Sequence, residues 1–66
     1  MRTKRQKMLF EFISTEPERA MTAKRAASIF DGDTSLASRI LQQLVTQGLI
    51  IHSGGTANAY EYKLVV

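Results

Sequence analysis

The chain has 66 residues, nine Lys/Arg against six Asp/Glu for a net charge of +3, and no cysteine. That length builds one small core with a thin stability margin, and neither a disulfide nor a thiolate metal site can support it. No apolar run approaches the about 20 residues of a membrane span, and the basic N-terminus lacks a signal-peptide core because Glu11 interrupts Met8-Leu9-Phe10, so the chain reads as soluble and cytoplasmic.

Residues 3–15 predict a first helix. Met8, Leu9, Phe12 and Ile13 recur at helical spacing as one apolar stripe, and Pro17 comes soon after its end. Residues 15–21 read as a connection. Thr22 suits the N-cap of a second, short helix through about Phe30, whose apolar side is Ala23, Ala26, Ala27 and Phe30. Asp31-Gly32-Asp33 is turn chemistry: Gly32 supplies a positive φ, and Asp33 or Thr34 caps the next helix.

Residues 34–47 predict a third helix. Ala37, Ile40 or Leu41, and Leu44 form its buried stripe, with Val45 on the margin and Leu36 partly exposed. Gly48 stands where a left-handed C-terminal residue belongs. The period then changes. Leu49–Ser53 is β-rich, Gly54–Ala59 forms a six-residue tip, and Tyr60–Val65 alternates with Tyr60, Tyr62 and Leu64 on the core face. A lone hairpin is marginal in water, so this one must pack on the helices. The fold class is therefore α+β, a three-helix core and then a two-stranded β-hairpin. The span 1–66 reads as one domain, with Met1 as a natural start and residues 1–3 as a flexible basic tail.

The stretch Thr34-Ser35-Leu36-Ala37-Ser38-Arg39-Ile40-Leu41-Gln42-Gln43-Leu44-Val45-Thr46-Gln47-Gly48-Leu49-Ile50 resembles the winged helix-turn-helix family. The likeness lies in a Ser/Thr-rich start, a Ser-Arg pair, a leucine and a polar run into Gly-Leu-Ile. Met21-Thr22-Ala23 with Ala26-Ala27 resembles that family's second helix. In size the chain is similar to small bacterial or phage transcriptional regulators. Two features depart from the pattern: Asp31 precedes Gly32 in the turn, and the wing, Gly54–Ala59, carries no charge.

The resemblance implies sequence-specific binding of double-stranded DNA, with the third helix in the major groove, and transcription regulation. Arg39 has the donor fork for guanine O6 and N7, and Gln42 the amide for adenine N6 and N7. Thr34, Ser35 and Ser38 can serve phosphates near the helix start, with capping as the alternative for the first two. Lys24 and Arg25 stand in the first turn of the second helix, where cations oppose the dipole, so a docked phosphate explains them better than helix stability does. Thr56 and Asn58 at the wing tip can reach phosphates, although Asn58 equally suits a turn. A module this small is expected to act as a homodimer or side by side on repeated sites; without a long dimerisation helix, the free chain reads as a monomer.

The competing reading is a winged-helix adaptor that binds protein without base readout, since fold alone does not fix function. It predicts an exposed apolar patch near Leu36 or Val65-Val66, whereas DNA binding predicts Lys24, Arg25 and Arg39 on one face. An enzyme is not expected. The one histidine, His52, has no ligand cluster around it in sequence, and no phosphate-binding glycine loop is present. The residues call for no metal, cofactor or small-molecule ligand.

Overall fold

The computed structural model describes residues 2–56 and 59–65. Helix α1 runs Lys4–Thr15 and is capped by Thr3, whose hydroxyl accepts from the Gln6 N–H at 3.2 Å. Its end is marked by the Ser14 and Thr15 hydroxyls, which fold back onto the carbonyls of Phe10 and Phe12. The buried face differs from the expected stripe. Gln6, Leu9 and Ile13 point inward, Phe12 is half-buried, and Met8 is 41 % exposed. The physical reason is polar: Gln6 bonds two glutamines of the third helix, and this turns α1 away from the side that Met8 would have buried.

Helix α2 spans Ala23–Ala26 and tightens into a 3-10 turn over Ala27–Ile29. Thr22 caps it through the Arg25 N–H, as its position predicts. Ala26, Ala27 and Phe30 are buried. The small alanines let α2 pack closely on helix α3, Thr34–Thr46. The turn between them bends through two consecutive left-handed residues, Asp31 at φ 54° and Gly32 at φ 81°. Aspartate is among the few non-glycine residues that adopt this region readily. Asp33, rather than Thr34, caps α3 by accepting from the Leu36 N–H at 3.0 Å.

Helix α3 buries Ala37, Ile40, Leu41 and Leu44, while Leu36 and Val45 are half-buried against the core. It stops at Gly48, φ 76°. There the Leu49 N–H reaches back to the Leu44 carbonyl and the Gly48 N–H to that of Val45, the paired bonds of a glycine C-cap.

Strands β1, Ile50–Thr56, and β2, Ala59–Leu64, pair antiparallel from Ile50↔Leu64 to Thr56↔Ala59, with a bulge between His52 and Gly54. The hairpin is therefore longer, and its tip shorter, than the six residues expected. The Gly-Gly pair extends β1 instead of ending it, because a bulge absorbs the extra residue. The connection before α2 also joins the sheet. Met21 and Tyr62 exchange both backbone hydrogen bonds at 2.8 Å, so Met21 is a one-residue third strand on the β2 edge. Ile50 and Tyr62 are buried and Leu64 is half-buried. Tyr60 is 44 % exposed, which corrects its expected place in the core. It pairs with Gly55 at the edge of the wing-side groove, and its ring packs edge-on against His52 at 4.6 Å. The whole is a helix-turn-helix core carrying a two-stranded wing, a winged-helix-like topology.

Gly55 adopts φ 88°, and a Cβ there would collide with the Ala59 carbonyl and the backbone of Tyr60 and Glu61. Gly55→Ala is expected to lower unfolding free energy by about 1–3 kcal/mol in urea titrations, with loss of β-structure at the wing. Burial, with Tyr60 beside it, raises the Tyr62 phenol above its ordinary value of 10.0. The folded state thus favours the neutral phenol. That stabilisation is complete below the ordinary value and declines as pH climbs above it. Urea midpoints measured upward from about pH 10 should fall in the parent chain, and less so in Tyr62→Phe.

Candidate nucleic-acid interface

With one face of α3 buried, Ser35, Arg39, Gln42 and Thr46 succeed one another along the opposite, exposed face. Thr34 is exposed at the helix start, and Ser38 is half-buried on one flank. The capping duty falls on Asp33, which leaves the hydroxyls of Thr34 and Ser35 outside the cap.

Two grooves border this ridge. On the wing side, Ser38 faces Thr22, Ala23 and Lys24 of the second-helix start and Ala59, Tyr60 and Tyr62 of β2, around a space of about 380 Å³. The Met21–Tyr62 bonds fix this groove, because they hold β2 against the residues that begin α2. On the α1 side, Arg39, Gln42, Gln43, Thr46 and Gln47 face Arg2, Thr3 and Gln6 around about 610 Å³. Arg39 and Gln42 therefore share one groove, and Ser38 and Lys24 share the other.

The α1 groove has a floor of amides that the sequence pattern does not reveal. Gln6 is 3 % exposed. Its Nε2 donates to Gln43 Oε1 at 2.8 Å, and its Oε1 accepts from Gln47 Nε2 at 2.7 Å and from the Arg2 N–H at 2.8 Å. A buried amide satisfied in this way locks α1 to α3 in one register. The only sequence signal is a polar residue one helical turn before Leu9 and Phe10, and periodicity scores such a residue as solvent-facing.

Arg25 sits elsewhere. Its guanidinium lies 5.3 Å from the centre of the Phe12 ring, and its Nη2 donates to Glu16 Oε1 at 2.8 Å. Its side chain is only 17 % exposed. It clamps the end of α1 to α2 and borders one open surface together with Lys24, whereas Arg39 lines the α1-side groove. Among the described residues the ion pairs are this one and Arg19–Glu16. Lys24 is exposed, as is Thr56 at the end of β1, while Asn58 lies outside the described residues. Among the described residues no group of three His, Cys, Asp or Glu could hold a metal ion, and no helix is long and apolar enough to cross a membrane.

Comparisons with protein-family models, curated proteins and solved structures return no match.

Gln6→Ala removes a buried amide that bonds the half-buried side chains of Gln43 and Gln47. We expect a loss of about 1–3 kcal/mol in urea unfolding, the cost of leaving buried polar groups unpaired. Gln42→Ala, on the exposed face, should stay within about 0.5 kcal/mol of the parent chain.

Proposed function

We propose that this domain is a sequence-specific double-stranded DNA-binding transcriptional regulator of the winged helix-turn-helix family, with α3 entering the major groove. The observation that carries the reading is the outward face of α3. It is wholly polar, it presents Arg39 and Gln42 with no side-chain donor engaged among the described residues, and it stands proud between two grooves. A helix about 10–12 Å across fits a major groove about 12 Å wide. Arg39 reads guanine and Gln42 reads adenine from neighbouring turns of one helix face. Ser35, Ser38 and Thr34 serve phosphates or base edges near the helix start, and Lys24 meets a phosphate from the wing side. Arg25 acts indirectly, by fixing α2 against α1. Thr56 and Asn58 are assigned to backbone contact from the wing. The whole chain acts as one domain in the cytoplasm of a bacterial cell or on behalf of a phage, paired or side by side on repeated sites.

A second reading, an adaptor that binds protein, is favoured by the exposed Ile51 (50 %) and Val65 (49 %) and by the lack of charge in the wing tip Gly54–Ala59.

The deciding measurement is titration of a random-sequence duplex pool at several salt concentrations, with selection of the bound fraction. Affinity should fall steeply with salt, and selection should enrich a site containing guanine. Arg39→Ala should erase the preference at one position, a loss of about 1–3 kcal/mol of discrimination. Absent or salt-insensitive binding would overturn the DNA-binding reading.

A further inference from the structure

The two flanks of α3 are electrostatically unequal. The wing-side groove is lined by one cation, Lys24. The α1-side groove is lined by two, Arg2 and Arg39, facing each other across amides and hydroxyls with no carboxylate in the lining. Lys4, Arg5 and Lys7 are exposed in the adjoining first two turns of α1, and that first turn contains no acidic residue. None of these five cations makes an ion pair among the described residues. The acidic groups lie elsewhere: Asp31 and Asp33 before α3, Glu11 further along α1, Glu16 and Glu18 beyond it, and Glu61 on β2.

Arg2 is also held in place. Its backbone N–H bonds Gln6 Oε1, the same oxygen that accepts from Gln47 on α3. The position of Arg2 is thereby referred directly to the helix that carries Arg39 and Gln42. A cation fixed to the frame of α3 loses less entropy on contact than one on a free tail.

We infer that the α1-side groove is the main seat of a sugar–phosphate strand, with Arg2 as a backbone-contacting residue and the uncharged wing in a lesser role. The inference rests on the DNA-binding reading and deepens it. A helix seated in the major groove has one phosphate strand along each flank. The strand beside Arg39 meets Arg2 from across the groove, in the field of Lys4, Arg5 and Lys7. Thr3 on the α1 side and Gln42 on α3 add neutral hydrogen-bonding groups to the two walls of the groove. Gln6 is a positioning residue that acts through Arg2 and Gln47.

The test compares the parent chain with Arg2→Gln and Arg2→Lys on the duplex selected by the parent. Arg2→Gln should flatten the slope of log affinity against log salt by about 0.9, the value for one phosphate contact on B-form DNA. It should leave the preferred sequence unchanged, and Arg2→Lys should restore the slope. Ethylation of single phosphates should show one interfering phosphate for the parent that is lost for Arg2→Gln. An unchanged thermal melt confirms that the fold is intact, since the exposed side chain of Arg2 makes no internal bond. A parent-like slope and ethylation pattern in Arg2→Gln would overturn this inference while leaving DNA binding standing. A parent chain that binds no duplex would remove both.

Discussion

The domain depends on one constraint, that a single short helix must be buried on one side and bare on the other. Ala37, Ile40, Leu41 and Leu44 of α3 supply the side around which α1, α2 and β1 pack. Among the described residues no other element covers the opposite side. Its polar residues therefore remain in water, and the glycine C-cap at Gly48 sends the chain directly into the hairpin. The same small residues that allow close approach, Ala26, Ala27 and Ala37, set the depth at which α2 lies against α3.

Two polar links then shape the flanks of that helix. The backbone exchange between Met21 and Tyr62 fastens the wing to the start of α2. The Gln6–Gln43–Gln47 cluster fastens α1 on the other side. Each link is buried or half-buried, so each is costly to leave unmade and specifies position as well as adding stability. Glutamine suits the second role because one amide both donates and accepts. Gln6 uses both functions, bonding Gln43 with its nitrogen and Gln47 with its oxygen. The result is a ridge whose two grooves differ in size and charge.

Charge obeys the same division. The net charge is small, so the sum of charges says little about a partner. Distribution says more. Arg25 and Arg19 are engaged with Glu16, whereas the cations at the start of α1 and Arg39 are left facing solvent beside one groove. A field gathered in this way acts over about a Debye length, roughly 8–10 Å at physiological salt, which spans such a groove.

The order and approximate bounds of the three helices and the hairpin were legible in the sequence, because periodicity, the Thr22 cap, the Asp-Gly-Asp turn and Gly48 are local signals read within one turn of chain. So was the outward face of α3, since its apolar stripe leaves Ser35, Arg39 and Gln42 no other place. What tertiary structure alone decided was every relation between segments distant in sequence. Gln6 became a core residue because Gln43 and Gln47 lie beside it, and Met21 became a strand because Tyr62 offers it a free edge. Arg25 became a clamp between α1 and α2 because Phe12 and Glu16 stand within reach. Tyr60 left the core for the rim of the wing-side groove, where its ring packs against His52. Local sequence encodes which face of an element is apolar, whereas which polar groups find partners depends on where the chain brings remote elements together.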